Sequence, residues 1–315
     1  HEADAEHPTL YLRPAARLEE RALYAVAIRG LTTKDGTALA PSPVFKALRD
    51  ATVTTSSELE ARRQSFETEV FEPLAKVGVA RDTLFEAWSF RTGSGEVVWT
   101  DLVDMRDQAL GGPEAGDLGC SVTKVVEDPA DPQVFRSIEG TFTVPLFLDS
   151  TEYGARLVRD DTGKVKRNDV AEAPFLAIIP RSVADKAAAG GGPFRVVLYG
   201  HGLFSDRNEI SRDFMLDFAN KFDTVVIATE WWGLSGSAPA FAAAMLQDLS
   251  RFGELMDRVR QSYINQLVLT RAATGSCAAL PELAAGGTPV FDAKEIYYAG
   301  NSQGGSFGLT LAALS

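Results

Sequence analysis

Between residues 56 and 77, the apolar side chains Leu59, Phe66, Val70, Phe71 and Leu74 recur every three or four positions. That spacing places them on one face of a helix, and Ser56 or Ser57 suits its N-cap. Residues 102–110 predict a second helix. Residues 208–222 predict a third, with Phe214, Met215, Phe218 and Phe222 on or near one face. A longer stripe runs through Phe241, Met245, Leu249, Phe252, Leu255, Met256, Val259, Ile264, Leu267 and Leu269, and is again mostly helical. Strands are predicted where short runs are dense in β-branched and aromatic residues: 10–12, 24–28, 88–90, 122–126, 142–148, 175–179, 194–199, 223–229 and 295–299. Asp35-Gly36 is a turn signal after the second of these. Strands alternating with helices in the second half predict an α/β fold with a parallel sheet.

Three of the predicted strands run into turns with chemical potential. Residues 295–299 lead into Gly300-Asn301-Ser302-Gln303-Gly304, and a helix is predicted from Ser306 to Leu314. Strand, G-x-S-x-G and helix in that order describe a nucleophile elbow, which presents a serine hydroxyl over the end of a sheet. The glycines leave room for a tight turn whose serine backbone is strained. The strand at 194–199 runs into Gly200-His201-Gly202-Leu203-Phe204, where a loop can offer a backbone N–H to a developing oxyanion. The strand at 223–229 is typical of a buried parallel strand and runs into Glu230-Trp231-Trp232-Gly233-Leu234-Ser235-Gly236-Ser237. With the helix at 208–222 between them, these two strands read as a βαβ unit.

In this order, the His-Gly-Leu loop, the Trp-Trp-Gly turn and Gly-Asn-Ser-Gln-Gly-Gly resemble the α/β-hydrolase superfamily, in particular large exported bacterial lipase- and esterase-like proteins with an extra N-terminal region. The resemblance covers about residues 142–315. It implies that Ser302 is the nucleophile and that the N–H groups of Gln303 and Leu203 bind the oxyanion. It gives His201 the role of shaping the oxyanion loop rather than acting as base, because the catalytic histidine of such enzymes follows the serine. Here the family's later strands, which carry the acid and the histidine, do not follow the elbow helix. The expectation is therefore a cleaved or truncated chain whose C-terminal counterpart, from the same precursor, completes the sheet and supplies both residues. No cofactor is implied, and the substrate is a small-molecule or lipid ester. The alternative is a non-catalytic, hydrolase-like binding or scaffold module on the cell surface.

Composition narrows this picture. The apolar share of 45% is enough for a core, and the net charge of −12 argues against nucleic acid or an anionic membrane as main partner. There is no apolar run long enough to span a membrane. The start His1-Glu2-Ala3-Asp4 reads as processed or internal. Cys120 and Cys277 are either one disulfide or two buried thiols, the bridge being favoured in an exported protein. No Cys/His spacing suits zinc, and Asp101, Asp104 and Asp107 read as a solvated helix face. The expected organisation is a β-rich end of an immunoglobulin-like region at 1–45, an α+β extension at 46–140, and the N-terminal half of a hydrolase domain at 141–315 with a helical, cap-like insertion at about 234–290.

Overall fold

The computed structural model describes residues 10–111, 118–127 and 130–315, except for the side chains of Ala293 and Glu295. The chain divides into two compact units, His1–Val98 and Trp99–Ser315.

The first unit runs β1 (Leu23–Arg29), α1 (Pro43–Arg49), α2 (Ser57–Phe66), a π-helical turn (Glu67–Phe71), α3 (Glu72–Lys76) and β2 (Leu84–Arg91). The Ser42 and Ser56 hydroxyls cap α1 and α2 by accepting from Phe45 N–H and Leu59 N–H. β1 pairs antiparallel with β2, and these two strands form a sheet of their own. A small core of Phe45, Leu48, Val70, Phe71, Leu74, Leu84 and Ala87 lies between sheet and helices. β1 thus takes its partner from beyond three helices. Residues 10–12, expected as a strand, pair with nothing among the described residues and are exposed.

α4 (Glu96–Leu110) begins in the last residues of the first unit, and its Leu102, Met105 and Ala109 are buried in the core of the second. β3 (Cys120–Glu127), β4 (Val134–Leu146), β5 (Asp169–Pro180), α5 (Arg181–Ala188), β6 (Phe194–Gly200), α6 (Asp213–Phe222), β7 (Val225–Thr229), α7 (Pro239–Gln247), α8 (Phe252–Thr274), the short β8 (Ala284–Ala285) and β9 (Thr288–Pro289), β10 (Phe291–Gly300) and α9 (Gln303–Leu314) follow. Six strands form one sheet in the order β10-β6-β7-β5-β4-β3. β3, β4 and β5 are antiparallel neighbours, β5 meets β7 antiparallel, and β7, β6 and β10 are parallel. This is a mixed α/β sheet in which the strand leading to Ser302, β10, lies beside the strand leading to the 200–204 loop, β6. Among the described residues β10 has β6 as its one neighbour, so its other edge is open.

Alternate residues of the strands serve opposite faces, as a pleated sheet requires. In β7, Val225 and Ile227 join the larger apolar cluster, while Val226 and Ala228 join a smaller one beneath α6. α6 buries Met215, Leu216 and Ala219, whereas Phe214 and Phe222 face solvent. The apolar face is thus rotated from the one the four spaced residues suggested.

The stretch at 234–290 is largely helical, with α7 and α8. α8 is a core helix, with Ile264, Leu267, Val268 and Leu269 fully or almost fully buried. It also buries polar side chains, of which Gln261 and Asp257 find partners in the chain around them, whereas both ends of the Gln266 amide have none among the described residues. Gln261 accepts from Phe147 N–H at 2.9 Å and donates to Pro145 C=O at 2.9 Å. Asp257 takes Arg156 at 2.7 Å and Arg260 at 2.9 Å. Cys120 and Cys277 form a disulfide, which ties the first residue of β3 to the segment following α8. Asp101 lies in an ion pair with Arg159 at 2.7 Å rather than on an open face.

Candidate active site

β10 ends at Gly300 and α9 begins at Gln303, so Ser302 stands at the turn between them. Its φ of 49° and ψ of −110° are unfavourable for a residue with a side chain. The turn persists because its surroundings leave no alternative. A Cβ on Gly304 would sit 2.0 Å from Gly200 O, and one on Gly300 would sit 2.5 Å from Gly304 C. Backbone therefore lies where side chains would otherwise be, and Asn301 N–H reaches Gly200 C=O at 3.1 Å. The Tyr298 hydroxyl donates to Gly304 C=O at 2.6 Å and pins the first turn of α9. Burial raises the Tyr298 pKa, so this donor keeps its proton. Behind the turn, Trp231, Tyr263 and Phe307 meet with centroids 5.0 to 5.3 Å apart.

The loop after β6 is held mainly by side chains. His201 is fully buried. Its Nε2 accepts from Trp231 N–H at 2.9 Å, so the proton sits on Nδ1, which donates to Gly202 C=O at 2.8 Å. Glu230 Oε2 lies 3.5 Å from that same Nε2, while Glu230 Oε1 accepts from Arg207 at 2.7 Å. Both ring nitrogens are thus occupied, one by the loop itself and one by the turn after β7, and the ring makes no hydrogen bond to Ser302 among the described residues.

Glu209 is the residue that the pattern of motifs did not single out. It lies in a 3-10 turn (Arg207–Ser211) before α6 and is only 2% exposed. Its Oε2 accepts from Gly202 N–H at 2.9 Å. Its Oε1 accepts from Asn301 Nδ2 at 2.8 Å and from the Tyr199 hydroxyl at 3.3 Å. Burial pushes this carboxyl up. The hydrogen bonds from Gly202 N–H, Asn301, Ser205 and Tyr199 outweigh it and hold the carboxyl below its ordinary value. In sequence, a glutamate near the start of a helical run reads as a solvated first-turn acid. Asn301, the first variable position of the elbow, likewise carried no signal of its own.

Gly202 N–H is therefore engaged, and the next amide along the loop is that of Leu203. Among the described residues, neither Leu203 N–H nor Gln303 N–H donates to an acceptor. The Leu203 side chain is 53% exposed, so what this residue can offer the site is its backbone. Leu203, Gly202, Phe204, Ser205, Arg212, Asn301 and Ser302 line one cleft of about 680 Å³. The structure thus brings Ser302 and the 202–204 loop to a shared cavity, with Gln303 adjoining. The Ser302 hydroxyl has no hydrogen-bond partner among the described residues. His1 and His7 lie outside them, and His201 is engaged elsewhere. No group of metal-ligating side chains occurs among the described residues. No helix among them is long and apolar enough to cross a membrane.

No protein-family model and no curated protein matches the sequence. Solved structures with a similar fold include acetyl xylan esterase 1 from Thermoanaerobacterium sp. JW/SL YS485, at 16% identity and a TM-score of 0.38, covering 70% of this chain and 54% of that one. The acetyl xylan esterase from Paenibacillus sp. R4 has 16% identity and a TM-score of 0.37, covering 70% and 56%. A glucuronoyl esterase from Teredinibacter turnerae T7901 has 13% identity and a TM-score of 0.33, covering 70% and 49%. The chain spans about half the length of these solved structures.

Proposed function

We propose that this chain carries the nucleophile and oxyanion hole of an exported serine hydrolase acting on carboxylic esters. The observation that carries the reading is the strained backbone of Ser302, φ 49°, at a strand-to-helix turn beside a loop with an unengaged amide. Strain of this kind persists where the surrounding structure over-determines it, and it clusters at functional sites.

In this reading Ser302 Oγ attacks the ester carbonyl carbon while a histidine takes its proton. The carbonyl oxygen becomes an oxyanion and accepts from Leu203 N–H and Gln303 N–H. Collapse of the intermediate breaks the bond to the alcohol, which leaves with the proton held by the histidine. Water then hydrolyses the acyl-serine by the same steps in reverse order. No cofactor enters. His201 acts on the oxyanion loop, whose shape it holds through Trp231 N–H. The histidine and the acid that orients it come from a C-terminal segment of the same precursor, and the open edge of β10 is where that segment would add its strands. The Cys120–Cys277 disulfide supports an oxidising destination outside the cytoplasm.

A fluorophosphonate probe tests the nucleophile in the full, assembled protein. Labelling that maps to Ser302 and disappears in Ser302→Ala is the expected result. An assembled, folded protein that takes no label is instead a binding module, and the reading is then wrong. Co-purification of a second polypeptide, or its recovery from the precursor, tests the missing segment. A labelled, active preparation containing no histidine beyond those of this chain would overturn that part alone.

A further inference from the structure

The two elements that meet at the Ser302 cleft are joined by one carboxylate. We infer that Glu209 is a positioning residue that locks the oxyanion loop to the nucleophile elbow, an inference that rests on the ester-hydrolase reading for its catalytic consequence. Each of its oxygens serves one side. Oε2 holds Gly202 N–H at 2.9 Å in the loop, and Oε1 holds Asn301 Nδ2 at 2.8 Å in the elbow. The Tyr199 hydroxyl at 3.3 Å adds a third donor from the end of β6.

The arrangement has two consequences. Gly202 N–H is taken up by the carboxylate, so the adjoining Leu203 peptide is fixed from one side. Asn301 precedes Ser302, so holding its side chain limits rotation of the strained turn that presents the hydroxyl. The group must be an anion. Each oxygen receives at least one donor, and any donor placed on this side chain would face an N–H. A glutamine keeps one acceptor for Gly202 but turns an amide donor toward Asn301 Nδ2, so the pair must lose that bond or the Asn301 amide must turn over. Its near-complete burial makes a substitute by water costly.

The test uses the full protein, with Glu209→Gln, Asn301→Asp and the double variant. In Glu209→Gln, kcat for p-nitrophenyl acetate should fall about 100-fold, as for the loss of one oxyanion donor, with KM within about threefold. In the double variant the new carboxylate at position 301 can accept from the new amide at 209, whose oxygen remains for Gly202 N–H. It should recover at least about tenfold of that loss. A merely structural role would show two additive losses and no recovery. Amide hydrogen exchange gives a readout independent of turnover. Glu209→Gln should speed exchange in both 200–205 and 299–304 while α8 stays protected. Unchanged exchange in these two segments, or acceleration in one alone, overturns the lock. If the wild-type protein neither turns over esters nor labels at Ser302, the hydrolase reading fails while the exchange result still decides the lock.

Discussion

The turn around Ser302 and the loop around Leu203 face one cleft, yet different chemistry holds them. In the turn, glycines let backbone pack against backbone, with Gly304 closed against Gly200 and Gly300 against Gly304. There the conformation is fixed by exclusion of volume, which is insensitive to charge. In the loop, an imidazole and a carboxylate take the backbone donors of Trp231 and Gly202. There the conformation depends on polar partners, one of them the Glu209 carboxylate. The contrast teaches that a strained serine turn can rest chiefly on excluded volume, with Tyr298 and the Asn301–Glu209 contact added, whereas an amide left free needs its neighbours occupied. Only when Gly202 is engaged is Leu203 left as the unengaged donor of the loop.

Four measurements can break or sharpen this contrast. The largest effect is expected for Gly304→Ala. Its methyl would meet Gly200 O at 2.0 Å with no flexible side chain to yield, so urea unfolding should show a loss of about 3 kcal/mol or more. A loss under about 1 kcal/mol would mean that the elbow is not sterically fixed. His201→Ala comes next. It leaves Trp231 N–H buried without an acceptor, and thermal and urea unfolding should register about 1–3 kcal/mol plus the cost of the emptied volume. An unchanged stability would remove the imidazole from the account of the loop.

The third effect is pH dependence at Glu209, whose carboxyl is held below its ordinary value. A depressed carboxyl contributes stability that is present above its unfolded value of about 4.3, and that is lost as pH falls through the folded value. The charged and titratable neighbours are the Tyr199 hydroxyl, itself raised by burial and by the Glu209 charge, and Arg212. The stability gap between wild type and Glu209→Gln should therefore be constant from about pH 6 to 8 and narrow below about pH 4.3. The same acid titration on Gly304→Ala should show no such narrowing, and a parallel dependence in both would erase the contrast. The smallest effect is expected for Leu203→Ala. An exposed side chain whose backbone is what matters should cost within about 0.5 kcal/mol in stability and leave kcat within about twofold.

Much of the second unit could be read from the chain because its signals are local. The β-branched run of β7, the apolar end of β10 and the glycine pattern around Ser302 each carry their meaning within about ten residues. What stayed hidden depends on partners distant in sequence. β1 and β2 look like independent strands, and nothing near either says that they pair across three helices. Glu209 looks like a solvated helix acid until the loop after β6 folds over it. The polar side chains of α8, such as Gln261, look like breaks in an apolar stripe. Their partners, Phe147 N–H and Pro145 C=O, lie at the end of β4 more than a hundred residues earlier. Phe214 and Phe222 show the converse error, since hydrophobic spacing marks a face but not its rotation against the sheet.

The disulfide between Cys120 and Cys277 joins positions 157 residues apart, and the span it closes contains the whole loop 200–204 but not Ser302. A single protease cut anywhere within that span, for example in the exposed hairpin turn at 160–163, leaves the two pieces covalently joined. Such a nicked molecule runs as one band on a non-reducing gel and as two after reduction. A cut between Cys277 and Ser302 has the opposite outcome, because no bond then retains Ser302. The bridge thus divides the backbone into a stretch where scission is silent and a stretch where it severs the serine from the loop that serves it.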